Sequence, residues 1–572
     1  MKRKTASQFL GSDWVSATKT RNYILNDPLL DYLNLYKTSE NTQTGIFTKF
    51  IMNQGILFEE GIVVLLKNKF GDSFKQIAGT SGTVQEDSRD TYKFKETVDA
   101  IKNKTPIIYQ GVLHNSKKKE YGVPDLIVHR DYISKLVTDA PTDLTEEYYI
   151  IDIKFTTLYF SAKGFLLNSG SVPAFKSQIY VYLDSLNGIT KSKGTTAFIL
   201  ARRWIQGSTG NNEQTAFNRL GVIDYATFDA DYPARTKNAM KWYRKVKDLG
   251  KNWVLTPNPS VPELYPNMKN EYDYPWRPFK VSYAQEIGEI TLMWQCGVKR
   301  RRIAHSNGVF HWNKATSESL GFKKKSKYYK TVNKMIAVQT SNELPVIRNN
   351  ISKWKSKQLL DFYVDYETIS NVTDDFISLP QVDTKSSIIF LIGCGYSDPI
   401  TKEWIYNYFL AKEISISAEQ QIVSDWFSYM DSVKAKFPSP KEPRLIHWSN
   451  AEASFFEAVV KRHQILKADL PWNFNPNWLD FLTVVRSEPA VIKGAFNFGL
   501  KTFGNAMQKL NLVTTVWESD CANGIDAMII AFNAYKNSES VEESPEMKDI
   551  IHYNEIDCKM VFEIVRYFRS LI

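Results

Sequence analysis

The stretch Y-G-V-P-D-L-I-V-H-R (residues 121–130), followed by Y-Y-I-I-D-I-K-F-T-T (148–157), decides how the first half of the chain is read. Asp125 opens one β-branched apolar run, and Asp152 and Lys154 stand two residues apart on another. Side chains alternate along a strand, so neighbouring strands carry all three groups to one face. Two carboxylates and an ammonium then meet in one pocket. A hard divalent cation takes a few carboxylates together with phosphate oxygens and water. A lysine beside it orients the attacking water or offsets charge in a phosphodiester transition state. The alternative is a solvated D-x-K ion pair on an exposed strand edge. Against that alternative, residues 148–151 are apolar without interruption, as in a strand covered on both faces. A charged pair at the end of such a strand costs free energy unless it binds something.

Two flanking segments extend the pattern. Upstream, M-N-Q-G-I-L-F-E-E-G-I-V-V-L-L-K (52–67) has helical apolar spacing through Ile56, Leu57, Val63, Val64 and Leu66, and it carries Glu59 and Glu60. Downstream, Gln178 and Tyr182 lie four apart and share a helix face. The ordered set G-x-x-x-E (Gly55, Glu59), G-x-P-D (Gly122, Pro124, Asp125), D-x-K (Asp152, Lys154) and Q-x-x-x-Y (Gln178, Tyr182) resembles the PD-(D/E)XK nucleases of the RecB type over about the first 235 residues. The resemblance implies that Glu59, Asp125 and Asp152 hold Mg²⁺ or Mn²⁺ and that Lys154 assists the water. It also implies that Gln178 and Tyr182 support the substrate and the site. Glu60 competes with Glu59 for the helix position, and the spacing from Gly55 favours Glu59.

Some members of that family carry an iron–sulfur cluster on four cysteines. Here Cys296, Cys394, Cys521 and Cys558 are scattered beyond the nuclease core without a C-x-x-C pair, so no cluster is expected. Such sparse cysteine use suits a reducing compartment. The start, M-K-R-K-T-A-S-Q-F, lacks the apolar segment of a secretory signal, and no run approaches the ~18 apolar residues of a membrane span. A soluble, intracellular protein with no membrane partner is expected.

The last third holds a second set of acids. L-L-D-F-Y-V-D-Y-E-T (359–368) puts Asp365 and Glu367 on one side of a strand; L-I-H-W-S-N-A-E-A-S-F-F (445–456) puts Glu452 at a strand-to-helix junction. Asp480 follows in W-L-D-F-L, and Tyr553 and Asp557 lie one helical turn apart in Y-N-E-I-D. Strand D-x-E with helix Y-x-x-x-D resembles the DEDD exonucleases of RNase H-like fold, in their tyrosine subtype. The resemblance implies that Asp365, Glu367, Glu452 and Asp557 hold two metal ions, that Tyr553 positions the water, and that Asp480 is a supporting acid. Glu452 stands where an aspartate is usual. The whole chain resembles two-nuclease proteins that join a RecB-like domain to a YprB-like RNase H domain.

At 572 residues and 43% hydrophobic, the chain is long enough for two or three domains. The net charge of +10 favours phosphate backbones. Lysines 117–119, the run Lys299-Arg300-Arg301-Arg302 and lysines 323–325 are interleaved with aromatics, as in nucleic-acid-binding surfaces, or else are solvated loops. The segment E-I-T-L-M-W-Q-C-G-V-K-R-R-R (289–302) is similar to a helix-hairpin-helix whose turn would present amides and cations to a phosphate, with a simple packing helix pair as the alternative. No phosphate-loop motif occurs, so any helicase would be a separate protein.

The expected α/β architecture is a restriction-endonuclease-like core (1–235), a helical linker (236–355) and an RNase H-like domain (356–572). The expected function is a metal-dependent DNA nuclease, an exonuclease in repair, recombination or defence. The alternative is a nucleic-acid-binding scaffold, or a helicase-recruited processing factor, with a catalytically weak C-terminal domain.

Overall fold

A computed structural model describes residues 9–38, 46–80, 82–207, 214–341, 343–347, 352–356, 358–369, 387–465, 476–487, 489–517, 524–538 and 540–572. Cys521 lies outside them. The fold is mixed α/β. The chain divides at Ile287/Gly288 into two compact units, so the stretch 236–355 is shared between them instead of forming a body of its own.

The first unit is built on a mixed sheet of β1 (Phe74–Gln76), β2 (Ile107–Tyr109), β3 (Leu126–His129), β4 (Tyr148–Phe160), β5 (Thr196–Gln206) and β6 (Gly221–Asp224), in the order β6-β5-β4-β3-β2-β1; the short strand Gln214–Thr215 pairs with β5. The period-two alternation of the central strands explains its two layers. Ile108, Ile127 and Ile150 face one core with Ile179, Leu183 and Leu186 of α2 (Val172–Thr190). Ile107, Leu126, Val128, Tyr149 and Ile151 face the other core with α1 (Ile46–Phe70). Tyr148 to Ile151 are at most 3% exposed, as a strand covered on both faces requires.

The buried face of α1 is Phe58, Ile62, Val63 and Leu66, whereas Ile56, Leu57 and Val64 point to solvent. The apolar face read from the sequence keeps Val63 and Leu66 and is corrected at Ile56, Leu57 and Val64. A helix with apolar residues nearly all round offers several stripes of similar quality, and only the partner surface selects one. The unit closes with α3 (Tyr232–Leu249) and runs on to Ile287.

The second unit begins with the basic helix α4 (Val298–Ser306). The preceding Ile290–Leu292 makes a single 3-10 turn, so the first arm of the expected helical hairpin does not form. The sheet is β7 (Asp361–Ile369), β8 (Ile388–Ser397), β9 (Trp404–Leu410), β10 (Arg444–His447) and β11 (Trp478–Asp480), in the order β9-β8-β7-β10-β11. The first three strands pair antiparallel, and β10 and β11 run parallel to β7.

Trp426 of α5 (Ile416–Lys436) and Phe456 of α6 (Ala451–Ile465) cover one face against Tyr366 and Trp478. On the other face lie Phe503 and Met507 of α7 (Leu500–Lys509) and the apolar stripe of the long C-terminal helix α9 (Pro545–Ser570), which follows α8 (Gly524–Asn537).

Candidate functional site

The N-terminal centre sits where β3 and β4 pair antiparallel, with Leu126 opposite Ile151, so Asp125 immediately precedes the ladder beside Asp152. Lys154 Nζ lies 2.6 Å from Asp152 Oδ2 and 3.5 Å from Asp125 Oδ2. Asp125 Oδ2 also accepts the backbone N–H of Ile153 at 2.6 Å, which ties the first carboxylate to the second strand. The register of β4 against β5 shifts just after Lys154, a local irregularity of the kind that re-aims side chains next to functional sites.

Glu59 of α1 is half-buried and accepts hydrogen bonds from Tyr109 Oη at 2.8 Å and Gln110 Nε2 at 3.3 Å, whereas Glu60 is exposed. Of the two glutamates, Glu59 is the one turned inward. Gly55 has no steric role there, since an added Cβ would meet nothing within 4 Å.

Gln178 Nε2 donates to Tyr182 Oη at 2.7 Å. The ring of Tyr182 lies against Gly122, where an added Cβ would stand 2.2 Å from Tyr182 Cε1. The glycine of G-x-P-D is thus what lets the tyrosine reach the site.

Burial pushes the Asp125 carboxyl well above the usual carboxylate range; Lys154 pulls it back, and Asp152 and Glu59 push it further up. For Lys154, burial works against the charge, and Asp125 with Asp152 outweigh it, so the ammonium is held above its ordinary value. Burial, and then Asp152, raise the Tyr182 hydroxyl.

The C-terminal centre gathers Asp365 and Glu367 on β7, Glu452 on the first turn of α6, and Asp557 on α9. Glu367, Glu452 and Asp557 are all less than 10% exposed. Burial raises Asp365 well above the carboxylate range, and Asp557, Glu367 and Glu452 each raise it further. Glu367 is raised by burial and then by Asp557. Asp557 is pushed up to about 6 by burial, with Trp517, Lys501 and Tyr553 restraining it. Lys501 stands over the Tyr553 ring, 4.6 Å from its centroid.

Protein donors reach these acids. Trp517 Nε1 donates to Asp557 Oδ1 at 2.6 Å, His447 Nδ1 lies 2.9 Å from Glu452 Oε2, and Asn554 Nδ2 donates to Asp365 Oδ2 at 2.8 Å. None of these donors was found from the sequence. For Asn554 a signal existed, an amide beside Tyr553 on the acid-bearing helix; His447 and Trp517 reach the site only through packing.

Asp480 is a backbone anchor. Its Oδ1 accepts the N–H groups of Leu482 and Ser449, at 2.9 and 3.1 Å, and its Oδ2 accepts Thr483 Oγ1 at 2.6 Å. Ser449, at φ +120°, is held in a costly backbone conformation at the junction that leads to Glu452.

The basic run is divided by the helix it lies on. Arg301 is buried, with Nη1 3.2 Å from Glu289 Oε1. Arg300 donates to the carbonyls of Leu320 and Gly321 and lies over the Phe322 ring at 4.1 Å. Lys299 and Arg302 are exposed. Successive residues are about 100° apart on a helix, so four in a row cannot share one face. The expectation that all four meet a phosphate is narrowed to these two. Of the lysines 117–119, Lys118 pairs with Asp184 at 2.8 Å and Lys119 pairs with Asp13. Lysines 323–325 are exposed.

Cys296, Cys394 and Cys558 are buried. Among the described residues, no three carboxylate, imidazole or thiol groups stand ready-made around one point for a metal ion. No described helix is long and apolar enough to cross a membrane. No protein-family model and no curated protein sequence matches the chain.

Proposed function

We propose that the protein is a divalent-metal-dependent deoxyribonuclease with two acid centres, the first of PD-(D/E)XK type and the second of DEDD, RNase H-like type. One observation carries the reading: Asp125 and Asp152, from adjacent strands, close on the ammonium of Lys154, with Glu59 near enough to raise Asp125. A surface ion pair has no reason to recruit a third, half-buried carboxylate.

The donors are oxygen alone, which suits Mg²⁺ or Mn²⁺ and not a soft metal. Glu59, Asp125 and Asp152 would hold the ion. When bound, it supplies charge that activates water and stabilises the leaving oxygen. Lys154 opposes the rise that burial imposes on the Asp125 carboxyl, and Gln178 donates to Tyr182 beside the pair. Lys299 and Arg302 are candidates for touching phosphate. The work fits DNA repair, recombination or defence, with any helicase a separate partner.

For the C-terminal unit, 3′-end trimming competes with a second reading, a nucleic-acid-binding platform without catalysis. The observation favouring the second is that Asp365, Glu452 and Asp557 each already have one oxygen engaged by a protein donor.

End-labelled DNA with Mn²⁺ tests both. Asp152→Ala should remove cleavage by the first centre while DNA binding persists. Any 3′-trimming that survives should vanish when Asp365 and Glu367 are also changed to Ala. Wild-type cleavage by Asp152→Ala would return D-x-K to the ion-pair reading, and no surviving trimming would favour the platform.

A further inference from the structure

Asn554 follows Tyr553 in the chain and belongs to no acid motif, yet it is completely buried beside Asp365. Its Nδ2 donates to Asp365 Oδ2 at 2.8 Å and to the Asp365 carbonyl at 3.3 Å. Its Oδ1 accepts from Tyr406 Oη at 3.0 Å. The sense of the carboxamide is therefore determined from both sides. Flipped, its oxygen would face a carboxylate and a carbonyl with no proton between them, at the cost of an unsatisfied buried group.

Room for this arrangement comes from the neighbouring strand. Gly393 is the ladder partner of Asp365, and a Cβ there would stand 1.7 Å from Asn554 Oδ1. No side chain at 393 is compatible with the amide where it lies. Three elements thus converge on one carboxylate: α9 supplies the amide, β9 supplies the hydroxyl that orients it, and β8 supplies the gap.

We infer that Asn554 is a positioning residue for the C-terminal acid centre: through one carboxylate oxygen and the backbone carbonyl it fixes Asp365 in the orientation that faces Glu367, Glu452 and Asp557. The inference rests on the metal-binding reading of that centre. Donors that orient metal-binding carboxylates govern affinity, and losing one costs about 10- to 100-fold.

The test is Mn²⁺ binding to the full chain in an Asp152→Ala, Glu59→Ala background, which removes the first centre, followed by electron paramagnetic resonance titration. Asn554→Ala should weaken Mn²⁺ binding by about 10- to 100-fold. Gly393→Ala, acting from the opposite strand, should reproduce the loss. Tyr406→Phe keeps the ring and removes only the orienting hydroxyl, so it carries the test if the other variants fail to fold; it should weaken binding by a smaller factor in the same direction. Circular dichroism and melting curves separate these effects from unfolding.

Two results overturn the inference, and they differ. Parental Mn²⁺ affinity in well-folded Asn554→Ala or Tyr406→Phe, with binding abolished by Asp365→Ala, would leave the metal site standing and remove Asn554 from it. Parental affinity in Asp365→Ala as well would mean that the acids hold no metal, and the underlying reading would fall first.

Discussion

In the N-terminal centre Asp125 and Asp152 close on one ammonium, at 3.5 and 2.6 Å, whereas in the C-terminal centre Asp365, Glu452 and Asp557 meet a carboxamide, an imidazole and an indole. The difference lies in where the counter-charge comes from. Lys154 supplies one positive charge from within, so the first centre carries part of its counter-charge before any metal arrives, although burial, Asp152 and Glu59 still raise Asp125. Uncharged donors such as the amide and indole orient carboxylates and lower their desolvation cost without cancelling their charge. Lys501 restrains Glu367 and Asp557 only in part, so the second centre must take up protons or a cation, and its raised carboxyl groups express that need.

The largest effect should come from removing the internal counter-charge. Lys154→Ala leaves two carboxylates facing each other in a mostly buried site, and breaking a buried pair from one side costs about 3–5 kcal/mol. Urea denaturation in EDTA should register that loss, and Mn²⁺ should recover part of it by binding the native state. A Lys154→Ala protein as stable as wild type without metal would break the contrast between the centres.

A smaller effect sharpens the other side. Asp557 is raised from 3.8 to about 6 in the folded protein. A raised carboxyl contributes stability that is fully present below its unfolded value and is lost as pH rises through the folded one. Metal-free protein should therefore lose on the order of 3 kcal/mol from this group between about pH 4 and pH 7. Asp557→Asn should flatten that slope, and Mn²⁺ at pH 7 should offset the loss. An equal slope in Asp557→Asn would show that burial in this centre does not raise the Asp557 carboxyl.

The smallest effect lies outside both centres and serves as their control. Lys299→Ala with Arg302→Ala should lower DNA affinity and reduce the salt slope by about 0.7 to 0.9 for each phosphate that the protein no longer neutralises. Cleavage at saturating DNA and the pH dependence of stability should stay as in the parent. A change in either would tie the basic helix to an acid centre.

Spacing placed Asp152 and Lys154 two residues apart on β4, because strand alternation is a local rule, and the pairing of β3 with β4 brings Asp125 beside them. Spacing likewise placed Gln178 with Tyr182, and Tyr553 with Asp557, one helical turn apart. Local rules gave out wherever two candidates had competing claims. The spacing from Gly55 leans to Glu59 over Glu60 without excluding the latter, and it is Glu59 that Tyr109 and Gln110 reach. Only the partner core decides that Phe58 and Ile62 turn inward while Ile56 and Val64 turn out. Arg300 and Arg301 look identical to Lys299 and Arg302 in the sequence until Glu289 and the carbonyls of Leu320 and Gly321 claim them.

The chain by itself determined which groups have the chemistry and which of them share a face, since both follow from residue type and backbone period. The tertiary structure decided which partner offsets the burial cost of each group. His447 to Glu452, Trp517 to Asp557 and Asn554 to Asp365 are hydrogen bonds that meet at the acid centre only because the sheet and helices pack as they do, and no periodicity along the sequence encodes them.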